Sequence, residues 1–144
     1  MVKLRETAGV LKDELALVAS LVDTRVLVRC LIHPQKLSRE QTRVLSGALR
    51  RQESTAVSAI TLWEVALLTD EGRLELDLFG ELEGNPAFQI LPLSSAVAGE
   101  AALLRRMLRD PADCIVAATA RVHGLPLLTS DERTVTANLV STVG

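Results

Sequence analysis

Tyrosine is absent from this 144-residue chain, which holds one tryptophan and two phenylalanines, so that aromatic residues make up 2% of it. The core must then be built from Leu, Val, Ile and Ala, and base stacking on rings, common among single-strand binders, is disfavoured. Positive charge is not in excess: 16 Lys and Arg against 18 Asp and Glu give a formal net charge of −2. That balance argues against a protein that coats nucleic acid through bulk charge, but not against an enzyme that handles it through a metal and a few arginines. Lysine is scarce. Lys3, Lys12 and Lys36 are the lysines among those 16, leaving 13 arginines. Arginine grips phosphate or carboxylate with two prongs, as lysine cannot, although a GC-rich genome accounts for the bias equally well. Cys30 and Cys114 lie far apart, with no C-x-x-C and no His spacing for zinc, and two lone thiols suit a reducing compartment. Long apolar runs are missing too. Leu15–Val22 is far too short to span a bilayer and nothing resembles a signal peptide, so a cytoplasmic protein without membrane contact is expected.

What is present is the material of one domain, without repeats, low-complexity tracts or linkers. Residues 1–14 read as an N-terminal extension of uncertain structure, with the domain proper over 15–144. The continuous apolar run Leu15–Val22 has the signature of a buried parallel strand, and Asp23-Thr24 follows its end. A helix from Ser38 to about Arg51 is predicted, with Ser38 as cap and Val44, Leu45 and Ala48 inward. Thr55–Ser58 reads as a second strand. Thr61-Leu62-Trp63-Glu64 has the spacing of a capping box, and Trp63 reads as a packing residue. Leu74–Glu83 suggests a short surface helix, Phe88–Leu93 a third strand, and Ser94 or Ser95 the cap of a helix through Met107. Pro111 is comfortable only in a first helical turn, which makes Asp110 the N-cap and Asp113 the third helical residue of an apolar helix stopped by Gly124. Leu125–Thr129 forms a fourth strand that delivers Ser130-Asp131, and Leu139–Val143 adds a short edge strand.

Strands alternating with helices indicate a three-layer α/β domain with a mainly parallel, four- or five-stranded sheet. In such a domain strand ends and helix N-termini converge on one edge, which aims Asp23, Glu64, Asp113 and Asp131 at the same side. Each acid alone has a plain structural role: Asp23 as an N-cap, Glu64 in a capping box, Asp113 as a complement to the helix dipole. Together they would repel and drive their pKa values up unless a cation neutralised them. An all-oxygen set without His or Cys selects a hard ion, Mg²⁺ or Mn²⁺. The chemistry this supports is phosphodiester hydrolysis.

Four stretches carry a resemblance: Leu21-Val22-Asp23-Thr24, Val57 to Ala66 around Glu64, Arg109-Asp110-Pro111-Ala112-Asp113, and Leu128 to Arg133 around Asp131. In order and spacing they resemble the PIN-domain nucleases, specifically the VapC-type toxins of bacterial toxin–antitoxin pairs, over roughly residues 17–144. The resemblance implies an RNA endonuclease dependent on Mg²⁺ or Mn²⁺, a homodimer, and a cognate antitoxin that inserts a segment into the active-site groove. It assigns Asp23, Glu64, Asp113 and Asp131 to the four acids of the family. Thr24 and Thr129 match hydroxyl positions beside them, and Asp110 matches an acid common in the subgroup. Departures are visible as well. Arg25 and Arg29 stand where relatives often have His and Trp, two cations positioned to assist phosphate binding, and Cys114 replaces a common Arg. His123 matches nothing catalytic and reads as a helix-end cap. Two rivals remain: a non-catalytic PIN-like module that captures a partner, and a doubly wound receiver or phosphatase. For the second, Asp23 lacks the neighbouring acid and no Lys follows Thr129.

Overall fold

The computed structural model describes residues 17–74 and 77–144, so the expected 1–14 extension lies outside the described residues. Five strands form: β1 (Val18–Val22), β2 (Ser54–Ser58), β3 (Phe88–Leu91), β4 (Leu127–Leu128) and β5 (Thr142–Val143). All pair in parallel, in the order β3-β2-β1-β4-β5. The described α-helices are α1 (Thr24–Ile32), α2 (Arg39–Arg50), α3 (Ala59–Asp70), α4 (Leu78–Leu82), α5 (Ser95–Leu104), α6 (Pro111–His123) and α7 (Glu132–Ala137).

Side chains alternate across the sheet with the two-residue period of a strand. Val22, Val57 and Leu128 share a cluster with Val26 and Leu27 of α1, Leu45 of α2, Val65 of α3, and Leu78 and Leu82 of α4. Leu21, Ala56 and Leu127 take the other face, against Val116 and Ala120 of α6. Helix α5 then packs Val97, Ala101 and Leu104 on Cys114, Ala117 and Ala118 of α6. Both faces are covered, which is why β1 reads as an apolar run without alternation. The result is the three-layer α/β domain expected.

Several boundaries shift for identifiable reasons. β3 ends at Leu91 because Pro92 has no N–H for the ladder. β4 is confined to two residues, and β5 likewise, because only these pair in register with β1 and with each other. Helix α5 stops at Leu104 instead of Met107; the Met107 amide turns back to the Leu104 carbonyl at 2.9 Å, a tighter turn that sets Leu108 inside. The segment read as a surface helix is the one-and-a-half-turn α4, whose Leu78 and Leu82 are fully buried, so it plugs the core. Gly124, in the left-handed region at φ 65°, caps α6; His123 is merely its last residue.

Topology positions the site. The chain leaves β1 toward β2 and β3 on one side, then returns to place β4 and β5 on the other. The change of direction falls between β1 and β4, and open α/β sheets form their crevices just beyond the carboxyl ends of the strands at such a point. There the Asp23 amide donates to the Leu128 carbonyl at 3.1 Å.

Candidate active site

Three of the acids close helix N-termini. Asp23 caps α1, its Oδ1 accepting from the Val26 amide at 2.8 Å. Asp110 caps α6, its Oδ1 accepting from the Ala112 amide at 3.0 Å. Asp131 caps α7, its Oδ2 accepting from the Thr134 amide at 3.3 Å and the Thr134 hydroxyl at 2.8 Å. The capping roles read from the sequence for Asp23 and Asp110 are therefore real, and they do not compete with a shared site. A cap occupies one carboxylate oxygen with backbone N–H groups and holds the side chain at the strand-to-helix corner.

Glu64 is placed differently from its expected position. Ser58, not Thr61, caps α3, its Oγ accepting from the Ile60 amide at 3.2 Å. Thr61 becomes the third helical residue and Glu64 the sixth, so no capping box ties Glu64 down. The Thr24 hydroxyl does so instead: Thr24 Oγ1 lies 2.5 Å from Glu64 Oε1 and 3.0 Å from Thr61 Oγ1. A carboxylate only accepts, so the single Thr24 proton goes to Glu64 and the buried Thr61 hydroxyl donates to Thr24. Trp63, next door, is 58% exposed, not packed. Helix α3 is apolar on all sides, and only the fold decides which side is covered.

The acids Asp23, Glu64, Asp110, Asp113 and Asp131 all line one cleft of about 670 Å³ at the carboxyl edge of the sheet. Burial pushes the Asp113 carboxyl up to about 6, and the charges of Asp110, Asp131, Asp23 and Glu64 push it the same way. Burial also raises Asp23, opposed by the Thr129 hydroxyl, the Val26 amide and Arg25. Thr129, 1% exposed, also accepts from the Asp131 amide at 3.1 Å and so touches both acids that flank the switch point. Among the described residues no three His, Cys, Asp or Glu side chains converge as a ready-made metal site. The carboxylates share a cleft without forming a closed coordination shell.

Two features were not foreseen. Thr61 completes the hydroxyl chain to Glu64, and buried Gln41 of α2 reaches the far side of the cleft. Gln41 Oε1 accepts from the Ser38 amide in a capping box, while Nε2 donates to Ser130 Oγ and the Val143 carbonyl, both at 3.3 Å. The S-x-x-Q spacing signalled the cap; nothing local signalled a reach of 89 residues to Ser130.

Comparison with known proteins agrees with this architecture. Over 88% of the chain, and 97% of the other, it superposes at TM-score 0.63 and 26% identity on a protein of a toxin–antitoxin complex from Klebsiella pneumoniae. A chain of FitAcB from Neisseria gonorrhoeae matches at TM-score 0.64 and 27% identity, covering 86% and 96% of the two chains. VapBC2 from Rickettsia felis, solved bound to a DNA fragment from its promoter, matches over 88% and 98% at TM-score 0.63, but its 15% identity speaks to fold alone. Among curated proteins none matches the chain. The PIN domain family matches residues 20–138, which spans β1 to the end of α7 and every acid of the cleft. The chain belongs to the PIN domain family.

Proposed function

We propose that this protein is a metal-dependent endoribonuclease that hydrolyses RNA phosphodiester bonds as the toxin of a toxin–antitoxin pair. The observation that carries the reading is the cleft of clustered acids, where Asp113 is lifted to about 6 by burial and by four neighbouring carboxylates. Burying like charges around a half-buried carboxyl is unfavourable by itself, and a divalent cation relieves it. Carboxylates without His or Cys suit Mg²⁺ or Mn²⁺, held by Asp23, Glu64, Asp113 and Asp131. When bound, such an ion supplies charge at the phosphate and lowers the pKa of an attacking water.

The chain's own groups prepare that site. Thr24 fixes the rotamer of Glu64, Thr129 orients Asp23 and the backbone before Asp131, and Asp110 adds negative charge beside Asp113. The similar protein found in a toxin–antitoxin complex from Klebsiella pneumoniae supports an antitoxin as partner. Exposed Trp63 and Leu67 on α3, and Leu103 and Met107 around the end of α5, are apolar surface that association with an antitoxin or in a homodimer would cover.

The deciding experiment uses purified protein freed of any antitoxin. RNA cleavage is expected with Mg²⁺ or Mn²⁺ and is expected to stop with EDTA. Asp23→Asn and Asp113→Asn should each reduce cleavage by at least about a thousandfold with an unchanged far-UV circular dichroism spectrum. Undiminished cleavage by either variant overturns the assignment, and partner capture without cleavage favours the binding module.

A further inference from the structure

One wall of the cleft is not acidic. Arg25, Arg29 and His33 line it from α1 and its C-cap, and Lys36 continues the row from the following 3-10 turn. Residues four apart on a helix advance about 400°, so Arg25, Arg29 and His33 drift by only about 40° per step and form one stripe. The stripe rises about 12 Å from Arg25 to His33, leading away from Asp23. Arg133 joins from α7 on the same cleft.

Helix energetics do not account for the row. Arg25 occupies the first turn of α1, which holds no acidic residue, and a cation there opposes the helix dipole. Arg29 suits the last turn, yet its guanidinium is drawn sideways, Nη1 donating to Ser130 Oγ at 3.4 Å. Gln41 holds the same Ser130 oxygen, so α2 and the loop before α7 brace Arg29 against the cleft. Among the described residues, none of Arg25, Arg29, His33 and Lys36 makes an ion pair. Cations elsewhere do: Arg43 with Glu40, Arg51 with Glu53, Arg121 with Glu100. A row of cations without ion pairs among the described residues, running from a metal-suited cleft, wants a run of anions.

We propose that the α1 edge, Arg25, Arg29, His33 and Lys36, is a phosphate track that holds single-stranded RNA on one side of the cut only. This rests on the nuclease reading for its purpose, not for its test. Of the other lining residues, Arg73 is paired with Glu71 at 3.7 Å and Leu68, Val116 and Asp110 carry no positive charge, so the remaining positive charge lies along α1 and α7 and the footprint is one-sided. No Phe, Tyr or Trp lines the cleft to stack bases, so the grip is ionic and indifferent to sequence.

The test measures binding without cleavage. A fluorescein-labelled single-stranded RNA oligonucleotide is titrated, in EDTA and at several salt concentrations, with Asp23→Asn/Asp113→Asn protein. Adding Arg25→Gln, Arg29→Gln and Lys36→Gln should weaken binding roughly 10- to 100-fold at 0.15 M salt and flatten the slope of log affinity against log salt by about 2. Lysine at positions 25 and 29 should keep the slope. The control triple Arg43→Gln, Arg51→Gln and Arg121→Gln should leave slope and affinity unchanged. Equal losses in both triples would reduce the effect to bulk charge and overturn the track. So would unchanged RNA binding in the α1 triple, whether it instead altered Mn²⁺ affinity (cations serving only to neutralise the acids) or capture of an acidic peptide. The two readings fail separately: a flattened slope in a protein that never cleaves RNA leaves the track and removes the nuclease, while cleavage with an unchanged slope does the reverse.

Discussion

Two hollows of similar size sit at opposite ends of the sheet, about 670 Å³ at the carboxyl edge and about 580 Å³ where β4 and β5 begin. The second is also lined by charge, but there the charge is settled. Arg121 Nε donates to Glu100 at 2.8 Å and its Nη1 to the Leu139 carbonyl at 2.6 Å, stitching α6 to α5 and to the approach to β5. At the carboxyl edge the acids crowd together, and the cations lining the same cleft make no ion pair with them among the described residues. Where folding is the only requirement, opposite charges in a shallow hollow meet. Where they are kept apart, each is held ready for something that arrives from solution.

That contrast can be broken at three strengths. The largest effect is expected at Thr24. Thr24→Val keeps the shape but strips the hydrogen bond from Glu64, and removing such an outer partner of a metal-suited carboxylate should lower Mn²⁺ affinity and cleavage by roughly 10- to 100-fold. Thr24→Ser should restore both, which a purely structural role of the methyl group would not allow; isothermal titration with Mn²⁺ gives the readout.

The next is thermal stability against pH in EDTA. The folded pKa of Asp113 lies above its ordinary 3.8, so the metal-free protein suffers no penalty below that value, where the group is protonated in both states. Stability is lost as pH rises from about 4 through 6, and the loss is complete above that. Asp23, raised in the same direction, adds to it. Scanning calorimetry should therefore show Tm falling across this window by roughly 2–6 °C, and Asp113→Asn should flatten the fall. Mn²⁺ should raise Tm more at pH 7 than at pH 5, because it binds the deprotonated cleft.

The smallest effect belongs to the settled hollow. Arg121→Ala should cost at most about 1 kcal/mol, read from urea unfolding, because the Glu100–Arg121 pair is partly solvated, and cleavage should be unchanged. A large loss of activity there would erase the distinction between the two ends.

How far the chain could be read in advance follows the same division between local and distant causes. β1 was legible because an apolar run of that length, ended by an acid, leaves few alternatives, and α6 because Asp110, Pro111 and Gly124 punctuate it locally. The start of α3 was misplaced: the capping-box spacing pointed to Thr61, whereas the cap is Ser58, the last residue of β2, where pairing with β3 ends. Trp63 was misread because α3 is apolar all round, so no periodicity marks its covered face. That Asp23, Glu64, Asp113 and Asp131 share one cleft was legible through topology, since strand ends and helix starts share an edge. Their spacing within it was not, because no rule of local sequence sets distances among groups drawn from four separate loops. The Gln41–Ser130–Arg29 brace joins three distant segments and left no trace in any window of sequence.

The pairing of β1 with β4 has a bearing on biosynthesis. Asp23 leaves the ribosome early, but its neighbour across the switch point, the loop bearing Thr129 and Asp131, is made more than 100 residues later. Until then β1 has an open flank and Asp23 no Thr129 beside it, so a partly translated chain has no cleft. A cell producing this protein meets the complete pocket only once the segment bearing Thr129 and Asp131 has been made and has settled beside β1.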